Sequence, residues 1–254
     1  MHVNYRFLLD FAREQAPRGR ILDYGCGKGE VVQGGRAHGL EICGVEAFYE
    51  GGNRRAAVEK LGYLGTVIRE LRDGKIPFEE NSFDLVLSNQ VFEHVPDLTA
   101  VLSEIARVLK PEGKLLSLFP SNEVIREGHI GIPFVHWFPR GSGLRYAYAF
   151  LLRGLGAGYF KENRTTAQWT REKLCWLDHF TYYRSRKEIY AAFTAAGFKI
   201  QHFEKNYITY RLARSQLFRL GFLLRVPLGA RGASYLCRRL AGLVLLARKS
   251  GSTR

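Results

Sequence analysis

Between Arg20 and Phe119 the chain alternates short apolar runs with stretches of helical periodicity, and this alternation restricts the fold more than any other feature. Arg20–Tyr24, Leu40–Val45, Tyr63–Ile68, Ser82–Asn89 and Lys114–Phe119 read as five strands. Residues 3–15, Glu30–His38 and Gly52–Leu61 read as helices. After Pro96-Asp97, Leu98, Val101, Leu102, Ile105, Val108 and Leu109 share one helix face, and Pro111-Glu112-Gly113 stops it. Strands joined through helices in this way lie parallel, because their crossovers are right-handed.

The rhythm breaks over 121–180, a stretch rich in aromatics, Gly and Arg. It resumes at Ser185-Arg186-Lys187-Glu188, a capping box opening a helix that ends at Gly197. Phe198–Phe203 and Leu243–Ala247 complete seven strands, with a basic helical stretch at 211–239 before the last. The expected fold is α/β: a Rossmann-like, doubly wound, mainly parallel seven-stranded sheet with helices on both faces. At 254 residues one domain spans 1–254, carrying a helical and aromatic substrate-binding insertion at 121–180 after the fifth strand.

The four cysteines, Cys26, Cys43, Cys175 and Cys237, show no C-x-x-C spacing and suit a reducing compartment. The first 20 residues lack an apolar core followed by a small-residue cleavage site, and no apolar run reaches the roughly 18 residues of a spanning helix. A cytoplasmic protein is expected. The net charge of +14 favours acidic partners, and the surplus lies mostly beyond residue 135.

Ligand chemistry concentrates at Ile21-Leu22-Asp23-Tyr24-Gly25-Cys26-Gly27-Lys28-Gly29. In a doubly wound sheet the carboxyl end of the first strand lies at the switch point where ligands bind. Glu46 ends the second strand 21 residues after Gly25, where an acid holds ribose hydroxyls. A nicotinamide fingerprint needs a third glycine and a helix N-terminus free for pyrophosphate, but Glu30 stands there. Asp23 also opposes a dianion and suits a cation, which favours S-adenosylmethionine, with its sulfonium and ammonium groups.

From Arg20 to about Phe119 the sequence resembles the class I S-adenosylmethionine-dependent methyltransferases, especially those acting on small molecules, quinones and lipids. Ile21–Gly29 resembles their first motif, and Ile76-Pro77-Phe78 with Ser82-Phe83-Asp84-Leu85-Val86 resembles the segment entering the fourth strand. Asn89–Val95 resembles the motif after that strand, and Glu104–Gly113 resembles EIxRVLKPGG, with Glu112 replacing the first glycine. The resemblance implies S-adenosylmethionine as cofactor, with Gly25, Cys26 and Gly27 around its methionine part and Asp23 near the amino group. It implies Glu46 on the ribose, Asp73 on the adenine, and Asn89 and Gln90 at the methyl-transfer mouth. His94 is open between ligand contact and packing under the next helix.

The resemblance further implies that the segment after the fifth strand meets the acceptor. There His129, first, and His136 are the expected catalytic bases, lying among aromatics expected to lower an imidazole's pKa. Asp84 has no convincing second carboxylate partner, so no metal is expected. Arginines interleaved with leucine and phenylalanine at 211–239 suit either an anionic inner membrane surface or a solvated helix face. The expected reaction is methyl transfer to a small-molecule, lipid-linked or phosphate-linked acceptor. An RNA or protein methyltransferase and a non-catalytic cofactor-binding partner remain alternatives. The first lacks an Asn/Asp-Pro-Pro-aromatic tetrapeptide, since Asn89 is followed by Gln-Val-Phe.

Overall fold

A computed structural model describes residues 1–48, 53–216 and 224–250. Seven strands form one sheet in the order β3-β2-β1-β4-β5-β7-β6. They are β1 (Arg20–Tyr24), β2 (Glu41–Glu46), β3 (Ile68–Glu70), β4 (Phe83–Asn89), β5 (Leu109–Phe119), β6 (Phe198–His202) and β7 (Leu243–Lys249). The first five pair in parallel, and β7 runs antiparallel to both β5 and β6.

Nine α-helices accompany them among the described residues: α1 (Val3–Gln15), α2 (Glu30–Ala37), α3 (Arg54–Lys60), α4 (Leu98–Val108), α5 (Gly143–Gly154), α6 (Thr166–Phe180), α7 (Arg186–Ala195), α8 (Glu204–Ala213) and α9 (Pro227–Leu240). Successive strand residues face opposite sides, which sorts the apolar ones into two cores. Ile21, Leu85, Leu87, Leu116, Leu118 and Val244 pack under α1 and α8. Leu22, Val86, Leu115, Leu243 and Leu245 pack under α4 and α7. Burial on both faces is why these strands read as nearly continuous apolar runs. Asp97 Oδ1 caps α4 by accepting from Ala100 N at 2.9 Å, and the box at Ser185 and Glu188 forms as expected.

Two boundaries differ from the sequence reading. Tyr63–Val67 is a turn in which the N–H groups of Thr66, Val67 and Ile68 all donate to the Tyr63 carbonyl. Its side chains pack beneath the sheet edge, leaving only Ile68–Glu70 to pair with β2. β5 begins at Leu109, so Pro111-Glu112-Gly113 lies inside a strand; Asn81 and Ser82 N–H groups donate to the last carbonyls around α4 and end the helix earlier.

Residues 121–180 fold around their own small core of Ile130, Ile132, Val135, Trp169, Leu174 and Leu177. Buried Arg145 fastens this unit, pairing with Asp178 and donating from Nε to the Val135 carbonyl at 3.1 Å. The expected basic stretch at 211–239 is two elements, the end of α8 and then α9, and its residues 217–223 lie outside the described residues. Among the described residues no helix is long and apolar enough to cross a membrane.

Candidate functional site

A cleft of about 1090 Å³ opens over the carboxyl ends of β1, β2 and β4. Its floor is the turn after β1. Gly25 has φ +74, and a Cβ there would lie 2.4 Å from Val91 Cγ2, so only glycine fits. Gly27, at φ +59, would direct a Cβ into open space, so its backbone face is free to meet a ligand. The N–H groups of Gly25 and Cys26 both donate to the Val45 carbonyl, at 2.9 and 3.1 Å, which fixes the turn against β2.

Three expected ligand positions converge here. Asp23 is buried, and its Oδ2 has no hydrogen-bond partner among the described residues. Burial and, second, the nearby Glu46 push its carboxyl up from 3.8 to about 8. Glu46 is buried at the end of β2, accepting from Gly27 N at 2.6 Å, Ala47 N at 3.2 Å and Arg54 Nη1 at 3.4 Å. A carboxylate offers about four acceptor sites, so one stays available. Cys26 lines the cleft, and its thiol is pushed upward by burial and by the charges of Asp23 and Glu46. Glu30, at the start of α2, lines the same end and disfavours an anion.

The wall after β4 is shaped by Gln90, a non-glycine residue at φ +56 held by its N–H donating to the Leu118 carbonyl at 2.7 Å. Asn89 Oδ1 accepts from Asn4 Nδ2 at 2.9 Å, and Asn4 Oδ1 accepts from the Tyr207 hydroxyl at 2.6 Å. Thus α1 and α8 roof the cleft, which sequence patterning did not show.

At the far end, the turn Phe92–His94 meets the 121–180 insertion. Glu127 is fully buried; its Oε1 accepts from His129 Nδ1 and Tyr183 Oη, each at 2.6 Å, and its Oε2 from Ile130 N at 2.6 Å. Burial alone would raise the Glu127 carboxyl and lower His129, but their mutual hydrogen bond and charge reverse both: Glu127 is held down and His129 is raised, against the lowering expected from its aromatic surroundings. Nε2 of His129 lies 3.2 Å from Nε2 of His94, and Nδ1 of His94 lies 2.6 Å from the Phe180 carbonyl. Burial lowers His94, and burial raises the Glu93 carboxyl behind it to about 7. Trp176, Phe180 and Tyr182 complete an aromatic wall around the imidazoles.

The structure therefore gathers Asp23, Gly25, Cys26, Gly27, Glu46, Asn89, Gln90 and His129 around one cleft. Two expected residues stand elsewhere. Asp73 occupies the tip of a tight turn closed by Arg72 and Lys75, at φ +51, beside Arg69 and Arg107 in a separate depression. Leu71 takes its place at the cleft. His136, within the insertion, packs its ring at a tilt against Tyr183, 4.7 Å between centroids, and does not line the cleft. Sequence reasoning missed Glu93, Glu127 and Trp176. The available signals were adjacency of Glu93 to His94 and the two-residue step from Glu127 to His129.

The family described as a methyltransferase domain matches residues 2–202. The ubiquinone biosynthesis O-methyltransferase of Hahella chejuensis is 34% identical over 118 residues, 42% of this chain and 46% of that protein. The demethylmenaquinone methyltransferase of Symbiobacterium thermophilum is 30% identical over 159 residues, 55% and 62% of the two chains. The chain thus spans about half the length of the curated relatives it matches. Among solved structures, an S-adenosylmethionine dependent methyltransferase from Mesorhizobium loti superposes with a TM-score of 0.55 at 16% identity, over 98% of each chain, a likeness of fold.

Proposed function

Because the chain belongs to the methyltransferase domain family, we propose that it transfers a methyl group from S-adenosylmethionine to an oxygen of a small, partly apolar acceptor. When bound, the cofactor supplies an electrophilic methyl on a sulfonium. The residues fit it: Asp23 offers an unpartnered carboxylate oxygen to the ammonium, and Gly25 and Gly27 leave backbone room beside it. Glu46 keeps an acceptor site for a ribose hydroxyl. Asp73 lines a separate depression and is not among the residues assigned to the cofactor.

The observation that carries the oxygen acceptor is the imidazole pair. A hydroxyl must give up a proton as it is methylated, and the chain presents His94 and His129 at the cleft's aromatic end, oriented by Glu127 and the Phe180 carbonyl. Trp176, Phe180 and Tyr182 suit a flat ring, so phenols and quinols are the first acceptors to try. The relatives named for ubiquinone and menaquinone biosynthesis support this class. His129 is the expected proton-handling residue, and His136 sits too far back for that role. Transfer of labelled methyl from S-adenosylmethionine to a panel of phenols, amines and carbon acids tests the reading. Turnover of phenols that falls about 100-fold or more in His129→Ala supports it; turnover confined to amines would overturn it.

A lipid-linked acceptor at an anionic membrane surface is favoured by α9. Leu228, Tyr235, Leu236 and Leu240 are all exposed along it, beside exposed Arg225 and Arg231. Arg238 and Arg239 are instead engaged by Glu204 and by the Glu123 carbonyl. An apolar stripe flanked by cations is the pattern of an interfacial helix.

A further inference from the structure

A neutral imidazole has one N–H and one bare lone pair. Nδ1 of His129 faces Glu127 Oε1, and Nδ1 of His94 faces the Phe180 carbonyl, each at 2.6 Å. Carboxylates and carbonyls only accept, so in both rings the hydrogen belongs on Nδ1. Each neutral ring is then left with a bare Nε2, and the two Nε2 atoms face one another at 3.2 Å. Two lone pairs at that distance repel, so something positive belongs between them: an extra proton or a cation.

The surroundings choose between these. Glu93 is 1% exposed, and neither of its carboxylate oxygens has a partner among the described residues. One ligand atom from each of Glu93, His94 and His129 lies within 4.8 Å of the other two. Ligands sharing one ion at about 2.0–2.2 Å sit roughly 3–4 Å apart, so a small closure completes the set. A shared proton would leave both Glu93 oxygens without a hydrogen-bond partner, whereas an ion gives all three groups a shared ligand bond.

We propose that Glu93 and the Nε2 atoms of His94 and His129 form a site for a divalent transition-metal ion of the zinc type at the acceptor end of the cleft. Two imidazoles and one carboxylate favour a first-row ion over magnesium or calcium, which prefer all-oxygen shells. Three protein ligands leave a position open for substrate, as in catalytic zinc sites. His94 and His129 line the cleft, so that position suits an acceptor oxygen. Glu127 and the Phe180 carbonyl orient the two rings, as the outer partners of metal-bound histidines do. Tyr183 in turn holds Glu127. The sequence expectation of no metal concerned Asp84 on β4, whereas these ligands come from the turn after β4 and from the insertion. The role toward an acceptor oxygen rests on the proposed methyl transfer, and there a bound ion, by lowering the pKa of the acceptor hydroxyl it holds, would replace His129 Nε2 as the means of removing the proton; the ion site itself does not rest on it.

The test uses the full chain, stripped with chelator and titrated with Co²⁺ while visible absorption is followed. One Co²⁺ per chain with strong d–d bands is expected, displaced by Zn²⁺. His94→Ala and His129→Ala should each weaken uptake by about 100-fold or more, and Glu127→Gln by about 10–100-fold. Cys175→Ser, which removes an exposed thiol, should leave uptake unchanged. Calorimetric binding of S-adenosylhomocysteine to each variant reports folding and the cofactor reading separately. Wild-type protein that binds S-adenosylhomocysteine but takes up neither metal overturns the site, as does uptake undiminished in both histidine variants. Specific Co²⁺ uptake without S-adenosylhomocysteine binding upholds the site and sinks the cofactor reading.

Discussion

Asp23 makes cofactor affinity a calculable function of pH. Burial, then Glu46, raises its carboxyl to about 8, so in the free protein it is mostly protonated at neutrality. A ligand ammonium needs the ionised form, and apparent affinity scales with the fraction of protein in the competent form. That fraction is about 0.01 at pH 6, about 0.09 at pH 7 and about 0.5 at pH 8. Binding should therefore tighten by some tens of fold between pH 6 and 8, on the order of 2 kcal/mol. About 0.9 proton should be released per ligand near pH 7. Tyr5 and Cys26, which also face Asp23, are both raised above ordinary values that already lie beyond this window. The assay is calorimetric titration with S-adenosylhomocysteine in buffers of different ionisation enthalpy. Asp23→Asn should bind weakly and flatly across the range. A wild-type profile that is flat, with no proton release, would refute the reasoning. The same shift bears on stability. A carboxyl whose folded pKa is raised contributes stability below its unfolded pKa and loses it as pH rises through the folded one. The free protein should lose stability from about pH 4 towards pH 8, and Asp23→Asn should recover it in urea unfolding at the alkaline end.

Other perturbations have equally definite outcomes. Gly25→Ala drives a Cβ into Val91 at a left-handed φ, so it should lose about 1–3 kcal/mol in urea unfolding and most cofactor affinity. Glu127→Ala strands the Ile130 N–H, the Tyr183 hydroxyl and the His129 ring, and should cost about 3–5 kcal/mol, read as a lowered urea midpoint. Leu228→Glu with Leu236→Glu should abolish co-sedimentation with anionic vesicles while leaving S-adenosylhomocysteine binding intact. Equal sedimentation of variant and wild type would remove the membrane reading.

The sheet was legible because β1, β2, β4 and β5 bury both faces, giving apolar runs too short for helices and bounded by turn residues. β3 was misplaced because an edge strand of three residues borrows its packing from the turn before it, and an apolar turn looks like a strand. The glycine turn and Glu46 were legible because their spacing is set within one strand–helix–strand unit. The acceptor end was not: His129 meets His94 across 35 residues, and periodicity gives an element's type but not its distant partner. Asp73 lies outside the cleft for the reverse reason, since a residue close in sequence to the cleft was carried out of it by a single tight turn.

The antiparallel placement of β7 bears on how the chain comes to be folded at all. Among the described residues β6 pairs only with β7, and the outer flank of β5 has no other neighbour, so one late segment closes both edges. During synthesis, Phe119 and the strand behind it must wait for Leu243. At about 5–20 residues per second, that flank stays open for roughly 6–25 s, against milliseconds for a helix-rich unit to form. An unpaired apolar strand edge recruits whatever strand arrives. A ribosome stalled between those two points would thus present a largely built nucleus with one adhesive side, and the yield of well-folded protein would be set by how quickly the codons from Phe119 to Leu243 are read.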